Sequence, residues 1–115
     1  MNLLMRLIVT SIVAFGLSYL LEGIEFDSFW TAIVVAIVLA VLNAIIKPIL
    51  ILLTLPITLF TFGLFLFVIN ALIILLAEKL VDGFHVAGFW WALLFSLLLS
   101  LLTSLLYKER KEKTT

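Results

Sequence analysis

The chain has 115 residues, of which 66% are hydrophobic and 12% charged, with a mean hydropathy of +1.42. Soluble domains run at about 45–50% apolar and about 25% charged, so this chain has too little polar surface to cover a water-soluble globule, and a soluble enzyme domain is excluded. The lack of cysteine excludes disulfides and thiolate chemistry, one histidine leaves no His-rich metal site, and a formal net charge of zero gives none of the basic bias that nucleic-acid binding uses.

Charges punctuate the chain, and the uncharged gaps predict the elements in order. Leu7–Leu21 gives 15 uncharged residues, extended outward by Leu3–Met5 beyond Arg6. This predicts a first span, with Arg6 snorkelling to the interface. Its n-region carries Arg6 alone and no A-x-A-like site follows, so a retained span is expected rather than a cleaved signal. Ser28–Ile46 gives 19 residues and a second span. Pro48–Ala77 gives 30, which at about 1.5 Å each is roughly 45 Å, too long for one upright helix and too short for two. Pro48 and Pro56 predict a short proline-bounded helix, interfacial or re-entrant, within Lys47–Thr61, followed by a third span at about Phe62–Leu80. Val86–Tyr107 gives 22 residues and a fourth span. The expected fold is thus an all-α integral membrane protein with a four-span domain over 1–107 and a charged tail over 108–115.

Four spans place Arg6, Lys47, Lys108, Arg110, Lys111 and Lys113 on one side, six of the seven basic residues. The positive-inside rule then puts both termini in the cytoplasm. Three or five spans would scatter these residues. Trp30, Trp90, Trp91 and Tyr19 fall near the opposite, outer ends, as interfacial aromatics do.

The chain also matches itself at a spacing of 60: Gly23–Ala32 (GIEFDSFWTA) lies over Gly83–Ala92 (GFHVAGFWWA). Thr10 corresponds to Asn70, and Asn43 to Thr103. Ser28, Ala32, Ala36, Ala40 and Ala44 correspond to Gly88, Ala92, Ser96, Ser100 and Ser104. Small residues at every fourth position permit close backbone approach between helices. Two tandem parallel hairpins are expected.

The candidate residues are polar groups within apolar helices. Asn43 and Asn70 each need a partner in hydrocarbon, either as links between helices or as the lining of a polar path. Ser96, Ser100 and Ser104, with Thr103, give the fourth span a hydroxyl stripe that serves either packing or a pore. In the connector, Lys47, Thr54, Thr58 and Thr61 fall on one helical stripe, and the threonine hydroxyls are placed to satisfy carbonyls that Pro56 frees. The acidic outer loops, with His85, read as a solvated face. No nucleophile–base pair, glycine-rich phosphate loop or carboxylate within a span is present. An enzyme, a bound cofactor or a metal is therefore not expected, and proton-coupled transport lacks its usual intramembrane acid. Small multidrug transporters carry a glutamate inside the first span, and small fluoride channels a glycine- and arginine-rich signature; neither is found here.

The stretches NAIIKPILILLTLPIT (Asn43–Thr58), FGLFLFVINAL (Phe62–Leu72) and DGFHVAGFWWA (Asp82–Ala92) resemble the phage-holin-like family of four-span bacterial membrane proteins, the superfamily IV holins. The resemblance covers nearly the whole chain. It implies small helical proteins of the bacterial cytoplasmic membrane, and the holin label implies oligomeric lesions that release lytic enzymes. Two functions are therefore in view. One is a homo-oligomeric, holin-like pore in the lipid bilayer. The other is a non-conducting structural or envelope-stress accessory that binds lipid or a partner protein. No nucleic-acid partner is expected.

Overall fold

The computed structural model describes residues 2–113, and the surroundings of side chains for 2–106. Its elements are α1 (Leu3–Leu20), β1 (Ile24–Phe26), α2 (Phe29–Leu53), α3 (Leu55–Phe60), α4 (Phe65–Leu80), β2 (Phe84–Val86) and α5 (Phe89–Lys113). The helices follow from long runs of Leu, Ile, Val and Ala, and α1 and α2 begin where side chains cap free amides. The Asn2 side-chain oxygen Oδ1 accepts the Met5 N–H at 2.9 Å, and Ser28 Oγ accepts the Thr31 N–H at 3.4 Å.

The fold is mostly helical, as expected, and the two loops add to it a short antiparallel ladder that was not expected. Ile24 pairs with Val86, Glu25 with His85 and Phe26 with Phe84. Two flanking bonds extend it, Asp27 N–H to the Gly83 carbonyl at 2.9 Å and Ala87 N–H to the Gly23 carbonyl at 2.8 Å. Neither segment could satisfy its backbone alone; each supplies the other's partners, a pairing across 60 residues that local patterns do not announce. The ladder joins the C-terminal ends of α1 and α4 to the N-terminal ends of α2 and α5. This is the ladder end of the molecule; α3 lies toward the connector end.

The four long helices form a ring. α1 packs on α2 and α5, and α4 packs on the same two. At the ladder end the ring is filled: Ile24, Phe84, Phe95, Val35, Ala32 and Ala92 are essentially inaccessible. Phe26 stacks on Phe84 with ring centroids 4.9 Å apart, and Phe84 and Phe95 meet at 6.1 Å. The ridge of small residues is consumed here, since Ala32, Ala36, Ala92 and Ser96 are buried inside the chain, whereas Ala44, Ser100 and Ser104 farther along are exposed. Leucines, isoleucines and aromatics cover the outside of the ring, with Ile12 of α1 and Ile45 of α2 each 56% exposed. Such a continuous apolar perimeter suits lipid rather than water.

Three helices among the described residues, α1, α2 and α5, are long and apolar enough to cross a membrane. α4, expected from about Phe62, starts at Phe65 and has 16 residues, or about 24 Å of axis. Residues Thr61–Leu64 form turns instead. Phe62 has φ 56° and Gly63 φ 86°, both left-handed, which breaks any helix running in from α3.

The proline boundaries are also corrected. Pro48 does not end a helix: α2 runs through it to Leu53. Proline costs a helix the bond to the carbonyl four residues earlier, here Ala44, and apolar surroundings leave no better backbone alternative. The break falls at Thr54, and Pro56 occupies the first turn of α3, where a missing N–H costs little. At the far end α5 continues to Lys113, so the charged run after Tyr107 extends the helix. Thr114, Thr115 and the side chains beyond Leu106 lie outside the described residues.

Candidate functional site

The polar residues that interrupt the apolar helices converge at the connector end of the ring. α1 brings Arg6 and Thr10, α2 brings Asn43, and α5 brings Ser100 and Thr103 to a cleft of about 430 Å³. A smaller cavity of about 60 Å³ adjoins it, where Asn43 and Lys47 of α2 meet Asn70 of α4 and Ser96 and Ser100 of α5. Leu39, Asn43, Leu99 and Ser100 line both and form the wall between them. Asn43 and Lys47 stand one turn apart on α2, as Arg6 and Thr10 do on α1. No carboxylate lines either space.

Asn43 and Asn70, expected to meet a partner within the bundle, do face the same small cavity, but among the described residues neither amide makes a hydrogen bond. Ser100 is alike: its carbonyl accepts from Thr103 Oγ1 at 3.3 Å, while its own hydroxyl has no described partner. The other hydroxyls of the stripe turn back on their own helix. Ser96 Oγ donates to the Leu93 carbonyl at 2.9 Å and Thr103 Oγ1 to the Leu99 carbonyl at 2.7 Å. Back-bonding of this kind is how serine and threonine sit in a helix interior. Ser104 is exposed and lines neither cavity. The stripe therefore divides into Ser96 and Thr103, satisfied locally, Ser100, facing the cleft, and Ser104, facing outward.

The connector threonines serve the break. Thr54 Oγ1 donates to the Leu50 carbonyl at 2.7 Å and lies 3.5 Å from Thr58 Oγ1. Thr61 Oγ1 donates to the Ile57 carbonyl at 3.0 Å and accepts the Phe65 N–H at 3.2 Å, capping the start of α4. Lys47 is not part of that set; its place is beside Asn43 in the small cavity.

Sequence reasoning treated Arg6 as an anchor and missed its place at the cleft. The i, i+4 spacing of Arg6 and Thr10 was the available signal. It also missed Glu78, whose Oε2 accepts the Val86 N–H at 2.6 Å and so fastens β2 to α4. A carboxylate eight residues before its partner gives no recognisable pattern. His85 Nε2 lies 3.5 Å from Asp27 Oδ1, with both side chains more than half exposed, an arrangement worth little in water.

Comparison with known proteins follows the same lines as the architecture. Residues 1–105 match the family described as mycobacterial four-transmembrane-segment phage holin, superfamily IV. Among curated proteins, the uncharacterized membrane protein YvlD of Bacillus subtilis (strain 168) is 38% identical over 89 residues, covering 76% of this chain and 75% of that protein. An uncharacterized protein of Streptomyces coelicolor is 47% identical over 77 residues, 64% of this chain and 62% of that protein. No solved structure matches the chain. The chain belongs to the superfamily IV phage holin family and is a membrane protein with several apolar helices.

Proposed function

We propose that this holin-family protein is a four-span bacterial inner-membrane protein whose single copy does not conduct, and which acts as an accessory that engages lipid through its connector-end cleft. In this reading α4 is the remaining span, its depth completed by the Thr61–Leu64 turns. Both termini are cytoplasmic, with the ladder outside. α3 lies in the inner interface, where its exposed Leu59 and Phe60 enter the lipid. The chain is two tandem hairpins, a reading supported by the starts of α2 at Phe29 and α5 at Phe89 and by the ends of α1 at Leu20 and α4 at Leu80.

The observation that carries the non-conducting reading is the filled ladder end. A path from the cleft would have to pass Ile24, Phe84 and Phe95, which are 0%, 1% and 0% exposed. Well-packed aromatic layers leave no room for water. The test is release of a small dye from liposomes containing the purified full chain, over a range of protein-to-lipid ratios. Tight vesicles at every ratio, with insertion confirmed, are the expected result. Release proportional to protein at low density would mean that single copies conduct.

A second reading is favoured by one observation, the outward exposure of Ser104 on the connector-end half of the ring. Small and hydroxylated residues on a lipid-facing surface are suited to contact between copies, and the family name implies lesions built that way. Under this reading release rises steeply above a threshold density, and the pore runs between chains rather than through one.

A further inference from the structure

Counted at the 60-residue spacing, the small cavity is the counterpart of the cleft. Asn70, Ser96 and Ser100 at the cavity correspond to Thr10, Ala36 and Ala40 at the cleft. The two spaces differ in chemistry. Alanine meets the demands of close helix packing at 36 and 40, so packing alone does not call for hydroxyls at 96 and 100. Ser96 Oγ is spent as a donor on the Leu93 carbonyl at 2.9 Å. The Ser100 hydroxyl and the amides of Asn43 and Asn70 have no described protein partner. Among the described residues no buried side-chain nitrogen or oxygen lacks a partner. The half-buried Asn70 amide therefore reaches open space, and the cavity is the space it lines. Lys47 completes the polar lining, one turn beyond Asn43 on α2. No carboxylate lines the cavity, and Lys47 has no ion pair among the described residues.

We propose that this cavity binds one small inorganic anion of the halide class, held by the Lys47 ammonium, the Ser100 hydroxyl and the amides of Asn43 and Asn70. Each of these groups has an N–H or O–H to donate, and lysine has no acceptor to offer a cation. A cation would also meet the like charge of Lys47. Water alone would satisfy the amides and leave the ammonium without a counter-charge. Leucine and isoleucine side chains line the rest of the cavity. Such apolar walls lower the local dielectric and strengthen the attraction between ammonium and anion. The volume of about 60 Å³ suits a monatomic ion with a water beside it, a water's share of the liquid being about 30 Å³. It lies well below the range of about 300–1,000 Å³ usual for larger ligands. The site is independent of the reading above, and it stands whether or not the cleft engages lipid.

The test measures binding of radiolabelled chloride to the purified full chain by equilibrium dialysis, in an uncharged detergent and a gluconate buffer. Saturable binding of one chloride per chain, displaced by bromide, is the expected result. Lys47→Gln should weaken it about tenfold, the loss of one charge-assisted contact. Ser100→Ala places at 100 the residue already present at 40, and should weaken binding about fivefold with the packing kept. Lys79→Gln, the same loss of charge at the ladder end, should bind as the wild type does. Chloride should raise the unfolding temperature of the wild type and leave that of Lys47→Gln unmoved. If Lys47→Gln already melts lower in gluconate alone, Ser100→Ala decides. The absence of saturable chloride binding, undiminished binding in Ser100→Ala or in a stably folded Lys47→Gln, or saturable binding of sodium in its place would each overturn the proposal.

Discussion

Individual residues at the ladder end carry more of the structure than their composition indicates. Gly83 has φ 94°, and an added Cβ there would lie 2.9 Å from an Asp27 carboxylate oxygen. Gly83→Ala therefore combines backbone strain with a clash, and should lower stability by about 1–3 kcal/mol, read as earlier thermal unfolding in detergent. Gly23 is constrained differently: a Cβ would fall within the Trp91 indole, so this glycine is required by close approach. Glu78 accepts the Val86 amide at a half-buried position. Glu78→Ala removes a hydrogen bond to a charged acceptor, worth about 1.5–3 kcal/mol, and should speed hydrogen exchange at Val86 roughly ten- to hundredfold. Glu78→Gln keeps an acceptor and should recover part of the protection. The paired Gly, Phe-Trp and Ala of the two loops were visible from the sequence, but their reasons were not. For the glycines the reason is contact between the two repeats, Gly23 against Trp91 and Gly83 against Asp27.

At the scale of elements, the two prolines divide unequally. Pro48 sits inside α2, whereas Pro56 sits in the first turn of α3 beyond a break that Thr54 closes. Read along the chain the two weigh alike, because proline's lost N–H and fixed φ are local facts. Position relative to the helix end decides the consequence. Pro48→Ala should restore the bond to the Ala44 carbonyl and leave cysteine accessibility over 54–61 unchanged. Pro56→Ala should let α2 and α3 join and change labelling across that same stretch. No change in labelling for Pro56→Ala would mean that the Phe62–Gly63 turn alone sets the end of the connector. The short helix before α4 was legible in the length of the third uncharged gap. The ladder was not, because three-residue strands have no periodicity of their own and exist only through each other's backbone groups.

At the scale of the whole molecule the two ends of the ring differ. The ladder end is filled by aromatics and small residues; the connector end opens into polar spaces. The contrast follows from which helices meet and where their small and large side chains fall. Phe95 and Phe84 fill the ladder end, and removing both should create a cavity that nothing nearby can fill. Single Phe→Ala changes in cores cost about 3–5 kcal/mol, so Phe84→Ala and Phe95→Ala should each lower the unfolding temperature. The double variant, where it still inserts, should release dye at protein densities at which the wild type holds it. Release unchanged from the wild type would place the seal elsewhere.

The sequence by itself determined that this is a multi-helix membrane protein, where the long apolar segments lie, that a short helix precedes α4, and the family. Those features depend on composition and on spacing along one strand of chain, which hydrophobic transfer and helix geometry translate directly. Only the tertiary structure decided that the two loops at the ladder end pair as strands, that α2 continues through Pro48, and that Arg6, Thr10, Asn43, Asn70 and Ser100 line adjoining spaces. The physical reason is that each of these depends on groups far apart in sequence meeting across the ring, and a local pattern carries no record of the neighbour that will satisfy it.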